Sequence, residues 1–184
     1  EADYINAMSE HRFGMVELNV TNKFGAQVTV NKSRIAKEVA TLSHSLPITF
    51  DSSIFLRVDE TRMNVMKALI IGPVGTPYAN GCFEFDIHLP GNYPQSPPLV
   101  YSCTNGGGTV RFNPNLYNNG YVCLSLLGTW SGPGWDPAQS TIQQVLVSLQ
   151  SLVLVAEPYY NEPGYSSYIN KSASDGKFCC VNVL

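Results

Sequence analysis

The apolar residues of this chain change their spacing twice, and no other feature narrows its possible folds so far. Ile35, Val39 and Leu42 fall at i, i+4 and i+7, one stripe of a helix, with Ser33 placed to cap it and Pro47 to close the region. From Ser53 the period drops to two. Residues 54–58, 64–71 and 82–89 are β-rich runs, separated by turn-forming clusters at 59–61 and 72–81. In the third run Phe83, Phe85, Ile87 and Leu89 alternate with Glu84, Asp86 and His88, which predicts one buried and one wet face. A fourth run, 99–103, follows Pro94, Pro97 and Pro98. Consecutive strands on short connections pair with their neighbours, so these four predict an antiparallel meander. Ile142, Val145, Leu146, Leu149, Leu152, Val153 and Ala156 then restore helical spacing over four turns. Pro137 and Ser140 stand at its start and Pro158 stops it. The order is α-ββββ-α, an α+β class in which a long helix crosses a sheet.

Charge and cysteine usage remove several kinds of function. The 184 residues carry a net charge of −3 with no basic stripe interleaved with aromatics, so nothing favours nucleic acid. With 44% hydrophobic and only 14% charged residues the chain reads as a compact globule whose partners are proteins. No apolar run approaches the roughly 20 residues of a membrane span, and the first residues lack a secretory pattern. The five cysteines (82, 103, 123, 179 and 180) are odd in number and irregularly spaced. That is no secreted disulfide framework and points to a cytoplasmic protein. A chain that opens on Glu1 reads as part of a longer one.

Familiar catalytic patterns are missing. There is no phosphate-cradling GxxxxGK[ST], no GxGxxG after a strand and no GxSxG elbow, and Gly106-Gly107-Gly108 lacks a lysine. Without CxxC or HExxH, and with three histidines at no zinc spacing, neither a metal nor another cofactor is expected. A cysteine hydrolase needs a histidine base, and His88, the one histidine inside the core, sits on the predicted wet face. Cys123, in Tyr121-Val122-Cys123-Leu124, is then either a small buried hydrophobe or a nucleophile that works without histidine. Thioester exchange suits the second reading. A thiol of pKa about 8.5 is a few per cent ionised at neutral pH, and the reaction is nearly isoenergetic. Such a thiol needs exposure and an oxyanion donor more than a base.

Asn113-Pro114-Asn115, followed eight residues after Asn115 by Cys123, resembles the His-Pro-Asn…Cys signature of ubiquitin-conjugating enzymes. Three further segments resemble the same family in the same order. They are Gly72-Pro73…Thr76-Pro77-Tyr78…Gly81, Leu89-Pro90…Tyr93-Pro94…Pro97-Pro98, and Trp135-Asp136-Pro137-Ala138. The stretches 76–86, 111–118 and 155–165 are similar to the conjugating domain of giant hybrid conjugating/ligase proteins of the Apollon (Bruce) type. That subfamily carries Asn-Pro-Asn and a longer loop after the cysteine. The resemblance divides the chain into an extension at 1–31, a conjugating domain at 32–165 and a tail at 166–184. The helices that end the common fold are not evident after Tyr168.

The resemblance also implies roles. Cys123 would take ubiquitin from the activating enzyme as a thioester and pass it to a lysine. Asn115 would offer its amide to the oxyanion, although the same residue also reads as a turn former beside Asn118, Asn119 and Gly120. Asn113 replaces the family histidine and is expected, with Pro114, to brace the loop. Glu162 aligns with an acidic gate for the incoming amine, or is an exposed loop carboxylate. Lys32, Arg34 and Lys37 lie where the family contacts its activating enzyme, or form a solvated face. Pro137 and Ala138 match half of the surface that receives ligases, while Gln95 stands where many members place an aromatic. The implied partners are ubiquitin, its activating enzyme, and a ligase or the ligase domains of a parent chain. Two other functions share the pattern: an inactive docking module, and an enzyme for a ubiquitin-like modifier.

Overall fold

A computed structural model describes residues 31–50 and 52–161. Helix α1 (Lys32–Ser45) is followed by strands β1 (Ile54–Val58), β2 (Val65–Ile71), β3 (Cys82–His88) and β4 (Leu99–Ser102), and then by helix α2 (Ile142–Ser148). The strands form one antiparallel sheet in the order β1-β2-β3-β4, as the spacing predicts. The register sets Ile54 against Ile70 and Ile70 against Phe83, so a row of apolar side chains crosses β1, β2 and β3. That row packs with Ile35 and Leu42 of α1 and with Ile142, Val145, Leu146 and Leu149 of the second helical region. Two glycines are required by close approaches. A Cβ on Gly72 would stand 1.9 Å from the Tyr78 carbonyl, and one on Gly120, at φ +84, 2.1 Å from the Tyr101 ring.

Four expectations are corrected. The cap of α1 is Asn31 rather than Ser33: its Oδ1 accepts from the Arg34 amide at 3.1 Å, and Ser33 already lies inside the helix. The second helix is capped by Thr141 in a reciprocal box with Gln144, while the Ser140 hydroxyl accepts from the Asp136 amide.

That helix is also shorter than four turns. After Ser148 it widens into a π-helical segment, Leu149–Val153, which ends where the Leu154 amide reaches the Leu149 carbonyl. The extra residue shifts the phase. Gln150, Val153 and Leu154 face inward, and Leu152 and Ala156 are exposed. The fourth correction is the wet face of β3, where Asp86 and His88 are only 1% and 5% exposed. Lys67 of β2 reaches across to Asp86 at 2.7 Å and to Glu84, and Asn64 contacts His88 at 3.3 Å. Both faces of the sheet are therefore covered at this end, and a period-two pattern cannot reveal the second cover.

Candidate active site

The asparagine-rich turn and the cysteine form one unit. Residues 113–116 and 121–122 are drawn together by isolated bridges, Asn113 with Leu116 and Leu116 with Val122. The Cys123 amide donates to the Asn115 carbonyl at 2.8 Å, and Asn115 Nδ2 donates to the Cys123 carbonyl at 3.0 Å. Eight residues apart in sequence, the two are joined in both directions. Asn115 is 8% exposed, and its Oδ1 is buried without a hydrogen-bond partner. An orphaned acceptor costs about 1–3 kcal/mol, so this side chain is not placed for stability alone.

Asn113 is 2% exposed and all three hydrogen-bonding groups of its side chain are used. Its Nδ2 donates to the Tyr78 hydroxyl at 2.9 Å and to the Val153 carbonyl at 2.7 Å, while its Oδ1 accepts from the Asn115 amide. The Tyr78 hydroxyl in turn donates to the Phe112 carbonyl at 2.8 Å. One amide thus ties the 113–116 turn to the β2–β3 connection and to the end of the π segment. Pro114 is half-buried, and its carbonyl accepts from the Arg111 guanidinium, which also stacks on Tyr117 at 4.1 Å.

Exposure of the thiol, an expectation from its proposed chemistry, is corrected. Cys123 is only 5% exposed, and its Sγ donates to the Thr129 carbonyl at 3.1 Å. Thr129 Oγ1 accepts from the Leu124 amide at 2.9 Å and lies 2.9 Å from the Val122 carbonyl. Nothing in the sequence marks Thr129, since Gly128-Thr129-Trp130 is an unpatterned loop; its position beside the thiol is a product of the fold.

His88 does not supply a base: it is buried on β3 against Asn64. Glu162 lies outside the described residues, as do all of the 1–31 extension but Asn31 and the whole of the tail at 166–184. Of the basic trio, Lys32 and Lys37 are exposed, but Arg34 is half-buried. Its guanidinium pairs with Glu38 and donates to the Ser140 carbonyl at 3.0 Å. The hydrogen bond that Arg34 donates to Glu38 raises the Arg34 pKa, against burial. The second surface patch is assembled by Trp135, whose Nε1 donates to the Pro94 carbonyl at 2.6 Å while its ring packs on Tyr93. This brings exposed Gln95 into one region with half-buried Pro137 and exposed Ala138. A cluster of Glu84, Asp86 and Cys103 has metal-like spacing, but Lys67 already neutralises its carboxylates. Burial and the neighbouring Asp86 push the Cys103 thiol up to about 12.

The family model for ubiquitin-conjugating enzyme matches residues 34–178. The chain belongs to the ubiquitin-conjugating enzyme family. It is 58% identical over 149 residues, 79% of its length, to the human dual E2 ubiquitin-conjugating enzyme/E3 ubiquitin-protein ligase BIRC6, of which that match spans 3%. It is 49% identical over 157 residues to the probable ubiquitin-conjugating enzyme protein 17 of Caenorhabditis elegans, covering 84% of this chain and 21% of that one. This family member therefore spans a small part of these curated relatives. Among solved structures, the human ubiquitin-conjugating enzyme E2 G1 superimposes with a TM-score of 0.55 at 26% identity, over 66% of this chain and 92% of that one. A Plasmodium falciparum ubiquitin-conjugating enzyme E2 gives 0.55 at 27% identity over 67% and 96%.

Proposed function

We propose that Cys123 carries ubiquitin as a thioester and passes it to a lysine amine. The observation that supports this most is the two-way hydrogen bonding of Asn115 and Cys123, which fixes an amide donor beside the one cysteine at the family spacing. In the first step the Cys123 thiolate attacks the carbonyl of the ubiquitin thioester on the activating enzyme, and that enzyme's thiolate leaves. In the second, a lysine amine attacks the carbonyl on Cys123. The Cys123 thiolate leaves, an amide forms, and the amine's proton ends on the departing sulfur, which restores the Cys123 thiol. Asn115 Nδ2 would turn from the Cys123 carbonyl to the oxyanion of the tetrahedral species, where a positioned donor contributes most. Glu162 is proposed as the group that orients the amine.

Exposed Lys32 and Lys37 are proposed to meet the activating enzyme, with Arg34 serving mainly to hold α1. Pro137 and Ala138 are proposed to face a ligase, weakly where Gln95 replaces an aromatic. The match to BIRC6 supports a place within a larger conjugating/ligase chain, and the irregular cysteine usage supports the cytoplasm. Among the described residues no helix is long and apolar enough to cross a membrane. The burial of Cys123 favours a second reading, a docking module without catalysis.

One assay separates the two. With activating enzyme, ATP and ubiquitin, the chain should give a thiol-sensitive adduct one ubiquitin heavier, and Cys123→Ser should give a thiol-resistant one. No adduct with ubiquitin or any related modifier would leave the docking reading.

A further inference from the structure

Every group that a reacting Cys123 would need is occupied by its own loop. The Sγ hydrogen points at the Thr129 carbonyl, 3.1 Å away. The Leu124 amide, the backbone donor next along the chain, is taken by Thr129 Oγ1 at 2.9 Å. The Cys123 amide is taken by the Asn115 carbonyl, and Asn115 Nδ2 by the Cys123 carbonyl. Thr129 is stitched down on all sides: its Oγ1 lies 2.9 Å from the Val122 carbonyl and 3.1 Å from that of Leu124, and its own amide donates to the Leu124 carbonyl at 3.3 Å. A carbonyl oxygen accepts from a protonated thiol but offers nothing to a thiolate.

The residues on either side have open space around them. Gly128 is left-handed at φ +67 with nothing within 4 Å of a Cβ, and Gly134 is equally unobstructed. Ser131, Gly132, Pro133 and Gly134 are exposed. A Cβ on Gly132 would lie 3.2 Å from Ser125 Cβ, and the Gly128 amide donates to the Ser125 carbonyl at 2.8 Å.

We propose that Thr129 is a positioning residue that latches the 128–134 loop over Cys123, and that the thiol reacts only when this latch opens. The side chain holds the closed form, and opening frees both the thiol and the Leu124 amide, the latter as a second oxyanion donor. The inference rests on the proposed role of Cys123 as the acceptor of ubiquitin, but its first test needs neither ubiquitin nor activating enzyme.

The test is alkylation of the whole folded chain by iodoacetamide at pH 7.5, followed site by site by mass spectrometry. Thr129→Val keeps the shape and removes the hydroxyl. With two side-chain hydrogen bonds gone, the open population and the Cys123 labelling rate should rise about five- to tenfold. Thr129→Ser restores the hydroxyl and should return the rate to within about twofold of the native value. Half-buried Cys103 is the internal monitor of general loosening, and its labelling should stay unchanged. Unaltered Cys123 labelling in Thr129→Val would overturn the latch. So would a parallel rise at Cys103, or a serine variant as reactive as the valine one. If the labelling pattern holds but no modifier is accepted in the charging assay, the latch stands and the conjugating role falls.

Discussion

At the scale of single residues, the exchange of the family histidine for Asn113 shows how one side chain can carry a loop. A histidine ring has two nitrogens, whereas the amide of Asn113 donates twice and accepts once, and all three bonds are used. Removing it takes one partner each from the Tyr78 hydroxyl and the Val153 carbonyl, which keep the Phe112 carbonyl and the Val155 amide, and leaves the buried Asn115 amide without its acceptor. Asn113→Ala should therefore lower stability by roughly 2–4 kcal/mol in urea unfolding. Asn113→His, which can replace some of these bonds, should recover part of the loss. Equal stability of the alanine variant would mean that water or a shifted loop replaces all three bonds. Asn115 behaves differently, since one end of its amide is bonded and the other orphaned. The pair illustrates a division of labour within three residues: one asparagine satisfied and structural, the other held at a cost beside the thiol.

Among the elements, the β1–β2 hairpin holds its turn by a single carboxylate. Asp59 Oδ1 accepts from the Thr61 amide and hydroxyl and from the Arg62 amide, and its Oδ2 pairs with the Arg62 guanidinium at 3.0 Å. Burial alone would raise the pKa of this group. The hydrogen bonds from Thr61 and Arg62 outweigh burial and bring it down to about 2. Because the folded pKa is depressed, the carboxylate contributes stability above its unfolded value, near 3.9, and loses it as the pH falls through about 2. Asp59→Asn should cost roughly 2 kcal/mol at pH 7, and the gap to the native chain should close between about pH 4 and 2. Thermal unfolding across that range checks it, and a gap that persists at pH 2 would assign the cost to geometry instead of charge. The second helical region shows a different economy. Its π segment delivers the Val153 carbonyl to Asn113 and brings Leu154 into the core, so a helical irregularity supports the asparagine turn next to Cys123.

For the molecule as a whole, Glu38 is the residue that joins separate layers. From the buried side of α1, its Oε1 pairs with Arg34 and accepts from the Tyr93 hydroxyl at 2.7 Å, and its Oε2 accepts from the Ile142 amide at 2.9 Å. It thereby ties α1 to the loop before β4 and to the first turn of the second helix, whose leading amides have no partner within the helix. Burial and the Glu38 hydrogen bond together raise the Tyr93 pKa, so the tyrosine stays a donor. Glu38→Ala should cost about 3 kcal/mol or more, because it leaves a buried hydroxyl and a half-buried guanidinium without their acceptor. Glu38→Gln should cost less, since it keeps an acceptor oxygen for one of them. Equilibrium unfolding of both variants tests the order; the reverse order would show that the charge is a burden to the native state. The same network draws Arg34 away from the exposed basic face that the sequence suggests.

What the sequence by itself determined was the order of elements, the strand alternation and the spacing of Asn115 from Cys123. Each is a short-range property, carried by a period of two or 3.6 or by a count of residues along one turn. The ends of elements were less legible, because Asn31, Ser33, Thr141 and Ser140 are all competent caps and packing chooses among them. Only the tertiary structure decided that Asp86 and His88 are buried, that the second helix widens after Ser148, and that Thr129 closes over the thiol. These depend on what lies against an element from far along the chain: Lys67 across the sheet, Asn113 at the helix end, a glycine-flanked loop folded back on Cys123. A local pattern records which side of a strand or helix is apolar. The partner that covers the other side is set by how the layers meet.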